Sequence, residues 1–279
     1  MTRAFLIQQG LLGIVLPIII ASLVYFASKN FLKEKSIPLA IIIGFLTGFF
    51  ALSGFGILGF TPKTVQQWMP WVSLLALALV WLEPILKNTY LRWGLRLILF
   101  ELFLYQIFQP FINHPFASKR WSLSTTAQHM FLTTLVVFIF FFLIDYLCSR
   151  NNDKKYDTAT MLGFLTIMAV GSSLALVQSE SLVMGQLSAV VAAVLGVLSF
   201  INFIFPNDFK LSNVSPIIVV LMILPWLAIY KTLSIFSILI LVLSPLILFI
   251  KNKEEFKPKL VAIKAAALAA LMLVAILLA

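Results

Sequence analysis

Residues 182–205 read LVMGQLSAVVAAVLGVLSFINFIF, 24 positions without one charged side chain. As a helix rising 1.5 Å per residue, the run covers roughly 36 Å, more than the ~30 Å hydrocarbon core of a bilayer. Small residues recur every four positions within it, as Gly185, Ala189, Ala193 and as Ser188, Ala192, Gly196. That spacing puts small side chains on one face and lets helices approach closely. It is a packing signal and not a ligand code. The stretch reads as one membrane span.

The rest of the chain repeats this plan. Ten such runs are legible, at 11–27, 37–60, 68–86, 91–112, 127–148, 160–177, 182–205, 215–230, 233–250 and 260–279. The break at Lys231–Thr232 is the shortest, so the pair around it is the least sharply divided. Composition agrees: 62% of residues are hydrophobic, 11% charged, and mean hydropathy is +1.07. A soluble domain is about 45–50% apolar and about 25% charged. The expected fold is therefore all-α: a polytopic helical bundle of about ten spans, forming a single transmembrane domain over residues 1–279. The first run follows only Arg3 and resembles a signal peptide, but Lys29, Lys33 and Lys35 after it mark a loop rather than a cleavage site.

The +10 net charge lies at the breaks. With no basic stripe on a soluble face, it argues for anionic lipid and against nucleic acid. Lys29, Lys33, Lys35, Lys87, Arg92, Arg96, Arg150, Lys154, Lys155, Lys210, Lys251, Lys253, Lys257 and Lys259 fall on one side of the alternating spans. Arg3, Lys63, Lys119, Arg120 and Lys231 fall on the other, a split of fourteen to five, with Lys264 inside the last span. The positive-inside rule makes the first side cytoplasmic and puts both termini outside. Trp68, Trp71 and Trp121 then mark the outer boundary, and Trp81 and Trp93 the inner one.

Ten spans divide into halves 1–150 and 151–279, and five spans per half would make the second half inverted, a common transporter plan. The third span of each half carries Pro near both ends and stops at Lys: Pro70, Pro84 and Lys87 against Pro216, Pro225 and Lys231.

Glu101 is the residue of most interest. It sits mid-span in LRLILFELFLYQIFQPF, with Tyr105 one turn on and Gln109 two turns on. A carboxylate at that depth costs at least about 2.5–3.5 kcal/mol on insertion scales. It reads either as a proton- or cation-binding acid lining a path, or as a structural acid bonded to a neighbouring helix. Arg96, off its face, is expected to snorkel toward the cytoplasm. Glu83, Asp145 and Lys264 near inner span ends read as boundary ion pairs. Gln178, Glu180 and Gln186 lie in the most polar hairpin, which reads as helix glue or as an outward vestibule. Gly44 and Gly48 form a second small-residue face. His129 reads as an interface residue, and the loop with His114, Lys119, Arg120 and Trp121 as a lipid-headgroup contact.

Two histidines and the single Cys148 leave little ligand supply for a metal or haem, and no cofactor is indicated. No HExxH, GxSxG, P-loop or Rossmann pattern occurs. The scattered polar groups count against an enzyme.

GSSLALVQSESLVMGQLSAVVAAVLG, with LRWGLRLILF and the W-x-P-W start of the third span, resembles uncharacterised multi-spanning bacterial proteins of similar length. That resemblance implies a bacterial inner-membrane protein and no particular activity. Drug/metabolite-type transporters also have ten spans at this size, but with both termini cytoplasmic, and none of their motifs is present. Two functions fit: a transporter or permease moving a small solute or ion past Glu101 and the polar hairpin, or a structural or assembly subunit binding partner membrane helices, or a second copy, through its small-residue faces.

Overall fold

The computed structural model describes residues 11–53, 62, 64–86, 88–113, 123–150, 157–206, 211, 214–228, 234–249 and 258–279. No strand occurs among them. A π-helical turn, Leu11–Val15, leads into α1 (Leu16–Leu32). Then follow α2 (Ser36–Ser53), α3 (Val65–Leu82), α4 (Thr89–Asn113), α5 (Leu123–Arg150) and α6 (Asp157–Gln178). The remainder are α7 (Leu182–Ile204), α8 (Ser215–Ala228), α9 (Ile235–Leu243), a 3-10 continuation at Ser244–Phe249, and α10 (Pro258–Leu277). His114, Lys119, Arg120, Trp121 and the break at Lys231 lie outside the described residues, as does the Gln109 side chain.

Five described segments are long and apolar enough to cross a membrane: Leu11–Ser53, Ala127–Ser149, Asp157–Gln178, Leu182–Ile204 and Pro258–Leu277. Gln66–Leu82 and Ile235–Phe249 are shorter apolar helices. The surface is that of a lipid-facing protein. Phe131, Leu135, Phe138 and Phe142 form an exposed stripe along α5, while Glu83, Arg96 and Lys264 are buried. A water-soluble protein does not expose apolar area on this scale. The fold is a membrane-embedded helical bundle.

Antiparallel hairpins build it. The Gly13 backbone faces Leu52, Pro17 faces Gly48, and Ala21 faces Gly44. Each four-residue step along the first arm of the hairpin is a four-residue step back along α2. The turn lies at Lys33, which takes φ +48°. α6 and α7 pair likewise, the Ser173 hydroxyl donating to the Gly185 carbonyl at 2.7 Å and the Ser199 hydroxyl to the Ala159 carbonyl at 2.7 Å. Here the helix ends in a Schellman motif. The Ser181 N–H donates to the Leu176 carbonyl at 3.0 Å, the Glu180 N–H to that of Val177 at 3.1 Å, and Glu180 takes φ +67°. A left-handed residue with a Cβ costs about 1–2 kcal/mol, partly offset by the extra chain entropy glycine would bring. Glu180→Gly is expected to raise stability by about 0.5–1 kcal/mol, read as the unfolding midpoint in mixed micelles. A lower midpoint would contradict this account of the turn.

The glycines of α2 seat α1 and α7. A Cβ on Gly48 would lie 2.5 Å from Val190 Cγ1 and 2.8 Å from Pro17 Cγ. One on Gly44 would lie 2.8 Å from Val194 Cγ2 and 2.9 Å from Ala21 Cβ. Gly171 of α6 seats Met272 of α10 just as closely, at 2.5 Å. Of the small residues expected to pack helices, Gly44, Gly48 and Gly185 are buried, while Ala189, Ala193 and Gly196 are half-buried. Gly48→Leu has no room and is expected to cost about 1–3 kcal/mol by overpacking, on the same micelle assay. An unchanged midpoint would show that the three helices part easily.

Candidate functional site

At the Lys/Arg-rich end of the bundle, α3, α4, α5 and α8 meet around Arg96. The turn after α3 sets this up. Asn88 Oδ1 accepts the Tyr90 N–H at 2.9 Å, starting α4, and Arg92 Nε donates to the Leu86 carbonyl at 2.6 Å. Arg96 is one helical turn beyond Arg92, on the same face. It therefore reaches back to Glu83 at the end of α3. Nε donates to Glu83 Oε1 at 2.5 Å and Nη2 to Oε2 at 2.8 Å, a bidentate pair. Nη1 lies 3.1 Å from Asp145 Oδ1 on α5. Asp145 Oδ1 also accepts the hydroxyl of Ser215, the first residue of α8, at 2.6 Å. The Trp93 and Phe141 rings flank the guanidinium, with centroids 4.9 and 4.6 Å away.

Arg96 does not snorkel. It is 6% exposed and Glu83 2%, so the expected solvent-reaching side chain is instead the hub of a buried ion network. Among the described residues, two carboxylates meet the one Arg96 guanidinium, and the bidentate pair goes to Glu83. The Asp145 side chain is 26% exposed against 3% for Glu83, so it alone of the two acids reaches the outside. The positive N-terminal end of α8 at Ser215 offsets part of its charge.

Between Arg96 and Thr134 lies a cavity of about 20 Å³, walled by Phe100, Val137, Phe138 and Phe141. It has room for one water. On α5, Thr134 donates its hydroxyl to Glu101 Oε1 at 2.6 Å. Glu101 is half-buried and has no basic partner among the described residues. Tyr105, one turn on, is 48% exposed and faces away from the bundle. Gln178 and Glu180 are exposed and Gln186 half-buried, on the α6–α7 hairpin. They thus sit on a different helix pair from Glu101 and Thr134.

Sequence reading did not single out Thr134, Ser215, Tyr25, Asn202 or Trp226. Tyr25 donates to Asn202 Oδ1 at 3.0 Å in a buried bond joining α1 to α7. Trp226 Nε1 donates to the Ser172 hydroxyl. Buried Lys264 donates to the Leu248 carbonyl at 3.2 Å. A mid-span Ser, Thr or Asn carries a weak signal, because such residues also bond their own helix, as Thr133 does to His129.

Among the described residues no three of His, Cys, Asp and Glu group as a metal site. No family model matches this chain, and no curated protein matches it either.

Proposed function

We propose that this chain is a transporter of ten membrane crossings that moves a small solute or ion past Glu101. The observation that carries the reading is Glu101 itself: a mid-span acid whose one bond among the described residues is to the Thr134 hydroxyl, a side chain that also lines a small, mostly apolar pocket reaching Arg96. An ionised carboxylate there has no counter-charge among the described residues, whereas a bound proton or monovalent cation would neutralise it.

Helix directions support ten crossings. Pro17 and Val190 share Gly48, Ala21 and Val194 share Gly44, and Tyr25 bonds Asn202, so α1 and α7 run parallel. Those same glycines make α2 and α7 antiparallel. Asp145 with Ser215 and Phe140 with Trp226 make α5 and α8 antiparallel. Each relation is the one that strict alternation across the membrane requires. The inverted five-plus-five plan is supported by two echoes. The first hairpin of each half turns on a non-glycine residue at positive φ, Lys33 or Glu180. The counterparts α2 and α7 pack antiparallel, as a two-fold axis in the membrane plane would have them. The charge split favours both ends of the chain outside, and the resemblance of its sequence favours a bacterial inner membrane.

The subunit reading rested on small-residue faces, and Gly44, Gly48 and Gly185 of those faces are filled from within the chain. To test the transport reading, the protein is placed in vesicles with an entrapped pH dye, and classes of small solute are added under an imposed pH gradient. Solute-dependent proton movement supports it. A chain that purifies only with other membrane proteins in fixed ratio, and moves nothing, overturns it.

A further inference from the structure

On α5, Thr134, Phe138, Phe141 and Asp145 stand at intervals of four, three and four residues, so they share one face. That face packs on α4. The Thr134 hydroxyl donates to Glu101 at 2.6 Å. The Phe138 and Phe141 rings lie 5.4 and 5.2 Å from that of Trp93, between centroids. Asp145 Oδ1 lies 3.1 Å from Arg96 Nη1. The four residues therefore line one continuous seam, about 16 Å long, from the mid-span acid to the Lys/Arg-rich end. At that end the Asp145 side chain is partly exposed.

Phe141 closes the seam midway. It is buried, and besides Trp93 its ring meets Phe100 at 5.8 Å and the Arg96 guanidinium at 4.6 Å. Leu97 and Phe138, both exposed, cover the seam on the lipid side. Among these side chains lies the pocket of about 20 Å³, with space for one water and mostly apolar walls. A constriction of apolar rings stays shut by keeping water out. Its size also selects the ion. A hydrated cation does not pass a gap that holds one water, whereas a proton is relayed through single waters once the gap is wet. Arg96, which alone would repel a proton, has its charge met by Glu83 and Asp145.

We propose that the α4–α5 seam is a proton route between Glu101 and the Lys/Arg-rich end, and that the Phe141 ring is its gate, shut in this structure. The proposal rests on Glu101 as the exchanging acid and adds the ion and the route. To test it, the protein is placed in vesicles with an entrapped pH dye, and a pH gradient is imposed with no solute added. Potassium and valinomycin carry the compensating charge. The wild-type chain is expected to hold the gradient. Phe141→Ala enlarges the pocket between two polar ends, Arg96 and Thr134, and is expected to raise the proton leak at least about tenfold. Adding Glu101→Gln is expected to return the leak to the wild-type rate, which a leak from loosened packing would not do. Should Phe141→Ala fail to fold, Trp93→Ala opens the same layer from α4, where the ring is only half-buried. Because no solute enters the readout, a leaking Phe141→Ala chain whose wild type moves no solute keeps the gate and removes the transporter. A wild type that moves solute beside a tight Phe141→Ala chain does the reverse. A tight Phe141→Ala chain overturns the proposal, as does a leak that Glu101→Gln leaves unchanged.

Discussion

Arg96→Met is expected to destabilise the protein by about 3–5 kcal/mol, the cost of leaving a buried carboxylate without its partner. Glu83 is 2% exposed and both its oxygens are bonded to the guanidinium, so the loss strands it completely. Arg96→Lys should recover little, because one ammonium cannot reproduce the planar fork or its place between the Trp93 and Phe141 rings. The decisive comparison is a double-mutant cycle. Glu83→Gln on the Arg96→Met background removes the stranded charge and should restore much of the loss, giving strong non-additivity. Unfolding midpoints in mixed micelles read all four proteins. A loss under about 1 kcal/mol for Arg96→Met would mean the pair is solvated, and the buried network would have to be abandoned.

Glu101→Gln is expected to lower transport at least about 100-fold while changing stability by less than about 1 kcal/mol. The two effects separate because of what the amide keeps. Its oxygen still accepts the Thr134 hydroxyl, which is Glu101's one bond among the described residues, so packing survives. What the amide lacks is the ability to take up and release a proton or to bind a cation. Glu101→Asp keeps that ability on a shorter stem and should retain partial activity. Thr134→Val removes the bond to Glu101 and should lower transport without abolishing it. Full activity in Glu101→Gln would leave Glu101 as helix glue and remove the path from the transport reading.

The membrane setting was legible in the sequence because a bilayer asks only for length and apolarity. Residues 182–205 satisfy both without reference to any neighbour. The side chains that meet were less legible. Arg96 looked like a snorkelling residue because its own helix offers no acid on the same face. Its partner lies across the hairpin: Glu83 stands five residues before Asn88 and Arg96 seven after Thr89, which in an antiparallel pair brings them close to level. That rule could have been applied to Glu83. It could not have been applied to Asp145 and Ser215, whose meeting depends on how α5 and α8 pack. Gly44 and Gly48 were readable as a packing face, but not as a seat for α1 and α7 together. Gly196 belonged to the same kind of row and opens a groove instead, because spacing states where small residues stand and not whether a neighbour comes close. Glu180 reads from sequence as one residue of the most polar hairpin, whereas its backbone at positive φ ends α6.

Carbodiimide labelling tests the exchanging role of Glu101 most directly and needs no knowledge of the solute. These reagents attack a protonated carboxyl group in apolar surroundings and spare an ion-paired carboxylate. The chain in native-like bilayers is treated with a hydrophobic carbodiimide over a range of pH, and the modified residues are read by peptide mass spectrometry. The expected result is label on Glu101 that grows as pH falls, with none on Glu83, whose two oxygens are bonded to Arg96. An unlabelled Glu101 at every pH, or equal labelling of Glu83 and Glu101, would contradict a mid-membrane acid that takes up and releases a proton.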